Sequence, residues 1–142
     1  MTDPYRGSCL CGLVTFEVDE FLPQAAHCHC SMCRKFHGAS YATFASVHRS
    51  KFRWVHGADA LKRYAAENAT TRTFCSHCGS SLAFSSPRAP EHEVEIALGT
   101  MDGDVPIVPS AHIFVGSAAN WTVLKDELPR YEEKRGSARV IR

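Results

Sequence analysis

Seven cysteines in three tight groups constrain this chain more than any other feature of its sequence. The groups are Cys9-Leu10-Cys11, Cys28-His29-Cys30-Ser31-Met32-Cys33 and Cys75-Ser76-His77-Cys78. An odd number forbids complete internal disulfide pairing, and ligands two or three positions apart have the spacing of a chelate. Zinc in structural sites takes four thiolate or imidazole ligands in a closed tetrahedron. Cys75-x-x-Cys78-Gly79 is the turn such sites use, with glycine permitting the tight backbone after the second ligand. Cys9-x-Cys11-Gly12 is the natural second pair, giving a four-cysteine site that joins two distant segments. The plainer reading is that Cys9 and Cys11 pack as small buried hydrophobes, which leaves their shared glycine-bounded turn unexplained. His77, inside the last knuckle, is expected to point to solvent.

The remaining three cysteines, Cys28, Cys30 and Cys33, lie within six residues, so one loop can direct all three sulfurs at one ion. Three protein ligands leave a fourth position open, which separates catalytic from structural zinc because a water or substrate atom can enter and be polarised there. Thiolates are soft ligands, so such a site welcomes another sulfur and a thiol is the first substrate to consider. Two other readings stay open on spacing alone. His27 or His29 could supply a fourth ligand and close the site, or the middle group could share cysteines with the first.

At 142 residues the chain has the length of one domain able to bury a core without disulfides. Its 44% hydrophobic and 22% charged content is ordinary for a globular protein and argues against disorder. No apolar run approaches the roughly 20 residues of a membrane span, and Met1 to Tyr5 lacks the regions of a signal peptide. No membrane partner is therefore expected, and the expected compartment is cytoplasmic. A net charge of +1 is too small for the field that draws a polyanion, so nucleic acid is not an expected partner.

Short apolar alternations predict strands at Leu13 to Val18, Tyr41 to Val47, Thr73 to Phe74, Ser81 to Phe84, Glu93 to Leu98 and His112 to Val115. Gly38, Gly57, Pro87, Pro90, Gly103, Pro106 and Pro109 punctuate them at spacings that suit an antiparallel all-β fold with at most short helices. Ala58 to Asn68 reads equally as helix, from Leu61 and Tyr64 at i, i+3, or as strand, from Leu61, Arg63 and Ala65. A one-turn helix is expected near Ser117 to Trp121. Residues 1–131 are expected to form a single zinc domain, with 132–142 a charged, loose C-terminal tail.

Taken together, four runs resemble the family of glutathione-dependent formaldehyde-activating enzymes, which also contains centromere protein V. They are Gly7-Ser-Cys-Leu-Cys-Gly12, His27-Cys-His-Cys-Ser-Met-Cys-Arg-Lys35 continuing to Gly38-Ala39, Phe74-Cys-Ser-His-Cys-Gly-Ser-Ser-Leu82, and His112-Ile-Phe-Val-Gly-Ser117 through Trp121 to Leu128-Pro-Arg-Tyr131. The resemblance implies the all-β zinc fold called the β-tent and two zinc ions. It implies that Cys9, Cys11, Cys75 and Cys78 match the structural ligands and that Cys28, Cys30 and Cys33 match the catalytic ones. It also implies the reaction of a carbon-sulfur lyase resembling S-(hydroxymethyl)glutathione synthase, in which glutathione, as co-substrate, adds to formaldehyde.

For that chemistry the substrate partners are a small thiol and an aldehyde. Glutathione carries two carboxylates, which Arg34 and Lys35 could capture; the bland reading is a solvated charged pair. His112 could move a proton near the open site, or serve as a hydrogen-bonded core residue. Trp121 reads as core or pocket wall and Phe36, Tyr41 and Phe44 as core, while Asp126-Glu127 could supply a base but reads more plainly as a turn or cap before Leu128-Pro129. Two competing classes are a β-tent enzyme for another small thiol or electrophile, and a non-catalytic zinc-binding module. Methionine sulfoxide reduction is a weaker competitor because it needs a reactive cysteine outside the metal groups.

Overall fold

The structure, a computed structural model, describes residues 2–141. Its ten strands and one helix are β1 (Tyr5–Ser8), β2 (Thr15–Val18), β3 (Ala25–Cys28), α1 (Ser31–His37), β4 (Ala42–His48), β5 (Phe52–His56), β6 (Leu61–Ala65), β7 (Thr71–Cys75), β8 (Ser81–Ser85), β9 (Glu93–Ala97) and β10 (His112–Ile113). The fold is all-β with one short helix, as the alternating pattern predicts. No helix among the described residues is long and apolar enough to cross a membrane. Two compact units divide the chain: Met1–Pro23 with Ala45–Ile107, and Gln24–Phe44 with Val108–Arg142.

In the first unit β1, β2 and β5 form an antiparallel sheet, with Tyr5 opposite Val18 and Val18 opposite Phe52. Val14, Phe16 and Val18 are buried while Glu17 between them faces outward, where it meets Arg6 and Arg53. That period of two is what fixes the register. The later part of β4 continues through β9, β8, β7 and β6. Phe16, Val47, Leu82, Val94 and Ile96 form the core together with Cys9 and Cys75. Fully burying a side chain such as Phe16, Leu82 or Ile96 contributes about 1.5–3 kcal/mol each.

The ambiguous stretch resolves as strand β6, after a short 3-10 turn at Ala58–Ala60. Leu61 pairs with Cys75 and Ala65 with Thr71, so β6 gives β7 a second partner that a helix could not. Lys62, Arg63 and Tyr64 are exposed along it, which suits an outermost strand.

In the second unit β10, β3 and the start of β4 lie side by side. β10 runs parallel to β3, pairing His112 with His27 and Ile113 with Cys28, where only antiparallel pairs were expected. The expected strand to Val115 stops at Ile113 because Phe114 takes a positive φ of 55° and leads into a 3-10 turn at Val115–Ser117. That turn stands just before the one-turn helix expected near Ser117 to Trp121. Beyond it, Glu132 N–H donates to Ala138 O and Val140 N–H to Arg130 O, both at 2.8 Å.

Candidate metal centres

The turns that follow β1 and β7 carry the first group of sulfurs. Cys9 N–H donates to Val14 O, Gly12 N–H to Cys9 O, Cys75 N–H to Ser80 O and Gly79 N–H to Cys75 O, at 2.8–3.0 Å. Gly12 and Gly79, with φ of 80° and 83°, supply the left-handed residue each turn needs. The result brings the Sγ atoms of Cys9, Cys11, Cys75 and Cys78 within 4.8 Å of one another. Cys9 and Cys11 are 3.5 Å apart and Cys11 and Cys75 4.0 Å, far beyond the roughly 2.05 Å of a disulfide. Val14 N–H donates to Cys9 Sγ at 3.3 Å. The Ser80 hydroxyl, helped by the N–H groups of Cys11 and Ser80, draws the Cys78 thiol down to about 5. Despite the N–H of Leu13, desolvation and the neighbouring sulfurs push Cys11 up to about 11. Four sulfurs so close cannot all ionise unless a cation joins them.

The second group is built by the end of β3 and the start of α1. Cys30 is the N-cap of the helix, its sulfur accepting from Cys33 N–H at 3.3 Å, and Gly38 closes the helix by donating to Arg34 O. Basic Arg34, Lys35 and His37 fill the last turn, where the helix dipole favours positive charge. The helix thereby folds Cys28, Cys30 and Cys33 until their three sulfurs lie within 4.8 Å of one another. Cys28 and Cys33 are buried and Cys30 is partly exposed. The neighbouring thiols of Cys30 and Cys33, and then burial, hold the Cys28 thiol far above its ordinary range. Among the described residues no imidazole nitrogen joins this group, and it shares no cysteine with the first. Each group could hold a metal ion.

Beside the second group stand several of the sequence-picked residues. Arg34, half-buried, donates from Nε to Ser117 O at 3.1 Å, while Lys35 is exposed. His112 is fully buried, with Nδ1 2.9 Å from His29 Nε2 and Nε2 2.8 Å from Asp126 Oδ2. Asp126 Oδ1 accepts from Leu128 N–H at 3.1 Å, so the carboxylate also makes the turn before Pro129. Its hydrogen bond from His112 holds it below the usual carboxylate range. His27 meets Thr43 Oγ1 at 2.7 Å through Nδ1, and Tyr41 packs against the rings of His27, His29 and His112. Burial, and then the neighbouring His112, pull His29 down to about 4, so it is held neutral. Trp121 is 65% exposed in a turn, which removes the core half of its expected role. Sequence reasoning placed neither helix α1 nor the contact of His29 with His112. Cys30 at a capping position and Gly38 seven residues beyond the first helical residue carried the signal for the helix.

Comparison with known proteins places these residues in context. The family model described as glutathione-dependent formaldehyde-activating enzyme matches residues 4–117. A Halomonas elongata protein, provisionally named a glutathione-dependent formaldehyde-activating enzyme, is 34% identical over 128 residues, covering 84% of this chain and 80% of its own. A Schizosaccharomyces pombe protein named as an uncharacterized lyase is 28% identical over 80 residues, 56% of each chain. Among solved structures, a Rhodobacter sphaeroides protein determined by structural genomics superposes with a TM-score of 0.60 at 30% identity, covering 71% of this chain and 91% of that one.

Proposed function

This chain belongs to the family of glutathione-dependent formaldehyde-activating enzymes, and on that footing we propose that it is a zinc-dependent carbon-sulfur lyase that condenses glutathione, or a related thiol, with formaldehyde. The observation that carries the reading is the second sulfur group: Cys28, Cys30 and Cys33 converge without a fourth His, Cys, Asp or Glu ligand among the described residues, while the other four cysteines form a separate set. Both sets suit zinc. Tetrahedral zinc with Zn–S bonds of about 2.3 Å spaces its sulfurs about 3.8 Å apart, and the measured 3.5 Å and 4.0 Å in the first set straddle that value. The first set would hold a structural ion and the second a catalytic one.

When bound at Cys28, Cys30 and Cys33, zinc supplies a Lewis acid with a position free for a thiolate. The chain's own residues supply the rest. In the addition, a sulfur lone pair forms the C–S bond, the carbonyl π pair moves onto oxygen, and a proton passes from sulfur to oxygen. Partly exposed Cys30 marks the side from which the thiol enters, since Cys28 and Cys33 are closed to solvent. Among the described residues Arg34 spends Nε alone on a side-chain contact, with Ser117 O, which leaves its terminal nitrogens to receive a glutathione carboxylate, with exposed Lys35 as a second cation. His112 is fully buried with both ring nitrogens engaged, so its part in the substrate-binding region is an indirect one.

Exchange NMR between free glutathione and its hydroxymethyl adduct tests the proposal, with the uncatalysed rate as baseline because thiols add to formaldehyde spontaneously. Acceleration by the zinc-loaded protein, lost in Cys30→Ser, is the expected result. Two bound zinc ions with no acceleration would leave a zinc-binding module; acceleration with another small thiol or electrophile alone would leave a related enzyme of different specificity.

A further inference from the structure

Two buried imidazoles and an exposed carboxylate line up beside the second sulfur set: His29, His112 and Asp126, joined by contacts of 2.9 Å and 2.8 Å. Both imidazoles are 0% exposed. When both rings are neutral, as at alkaline pH, a row of two imidazoles ending on a carboxylate has only one consistent proton arrangement. Asp126, ionised, can only accept, so His112 carries its proton on Nε2. His112 Nδ1 is then a lone pair, and His29 must donate from Nε2. His29 Nδ1 is left as a bare acceptor, and it has no hydrogen-bond partner among the described residues.

The other end of this row is the peptide segment that carries two sulfurs. His29 sits between Cys28 and Cys30, and its N–H donates to Ile113 O at 2.9 Å, while His27 N–H donates to Ala111 O at 2.9 Å. His112 on β10 is itself fixed on both sides of its backbone, its N–H donating to Pro129 O and its carbonyl accepting from Tyr131 N–H, each at 2.9 Å. Three ligands orient one another less completely than four, so the protein must supply the missing constraint. We propose that Asp126 and His112 are positioning residues which, acting through the side chain of His29, hold the Cys28–Cys30 segment in the geometry where its sulfurs converge with Cys33 on one metal ion. The inference rests on the reading above in requiring that a metal binds there.

Asp126→Asn is the informative variant, because it keeps the shape and reverses the protons. Leu128 N–H holds the Oδ1 side of residue 126 as acceptor, so an asparagine there turns its NH2 toward His112. His112 Nε2 must then accept, His112 Nδ1–H donates to His29 Nε2, and His29 is left with a buried N–H on Nδ1 that lacks an acceptor. Buried orphan N–H groups are rarer in proteins than under-used acceptors, so the pinned segment loosens.

The experiment pairs nitrogen-15 spectra of the histidine rings at pH 8 with zinc competition against a chromophoric chelator, on the full chain. In the wild type, His29 and His112 are expected to be protonated on Nε2 and the chelator to remove zinc in two steps. In Asp126→Asn both protons move to Nδ1, and the weaker step shifts to about tenfold lower affinity or beyond, while the tighter step stays where it was. A general loss of folding would shift both steps together. Wild-type His29 protonated on Nδ1, or reversed tautomers with the weaker step unmoved, would overturn the inference. A wild type that binds a single zinc ion would overturn the open-site reading itself, and this inference with it. Should Asp126→Asn not fold, the wild-type ring spectrum alone still decides the proton arrangement.

Discussion

Cys11 Sγ and Cys75 Sγ lie 4.0 Å apart although 64 positions separate them in the chain. The contact joins the β1–β2 turn to the end of β7, and Cys75 is fully buried within the core. A structural zinc site contributes on the order of 10 kcal/mol or more to folding, comparable with the whole stability of an ordinary domain, about 5–15 kcal/mol. Cys75→Ser should therefore abolish cooperative thermal unfolding followed by circular dichroism. A Cys75→Ser melt within a few degrees of the wild type would show that the four sulfurs do not carry the fold.

Gly7 on β1 stands opposite Phe16 on β2, and a methyl group at Gly7 would run into the Phe16 ring. Phe16 is 1% exposed and packs against Phe52 and Trp54, so it cannot swing aside. Gly7→Ala should cost about 1–3 kcal/mol in denaturant unfolding, the usual penalty for overpacking a core. A cost near zero would mean that the ring relaxes freely.

Ser46 Oγ donates to Glu95 Oε1 at 2.7 Å, and burial raises the Glu95 carboxyl above its ordinary range. The folded chain thus binds this proton more tightly than the unfolded chain. Its stabilising contribution is complete below the unfolded carboxyl range, about pH 4.3, and is lost as pH rises through the raised folded value. Glu95→Gln keeps an acceptor for Ser46 and cannot ionise. Melting curves should show it gaining on the wild type as pH rises from 4 to 8; parallel curves across that range would contradict the burial argument.

Arg34 lies on α1 directly after Cys33, with its Nε committed to Ser117 O. If its remaining donors receive a glutathione carboxylate, Arg34→Ala should raise the KM for glutathione by about tenfold or more, the usual effect of losing a hydrogen bond to a charged group, with kcat little changed. An unchanged KM would point to a different thiol.

The metal groups were the most legible part of the chain, because chelating cysteines sit close in sequence and their turns need glycine at fixed places such as Gly12 and Gly79. The core was legible where one face alternates, as at Val14, Phe16 and Val18. β1 and β3 were not, since Tyr5–Ser8 and Ala25–Cys28 have little strand preference of their own and become strands through their partners. Phe52-Arg53-Trp54 at the start of β5 does carry the alternation that announces a strand, and the strands expected from the sequence still omit it. Helix α1 was hidden because a cysteine-rich run reads as a loop until Cys30 is recognised as its cap. The row from Asp126 through His112 to His29 could not be read at all: it depends on β10 lying parallel to β3, which brings residues 83 positions apart into contact.

The most direct test of the open three-cysteine site is cadmium-113 NMR of the cadmium-substituted protein, recorded with and without glutathione. Two resonances are predicted, one from four sulfurs and one from three, and glutathione should move only the second, toward the position of the first. A single four-sulfur resonance, or two resonances that both ignore glutathione, would contradict the account.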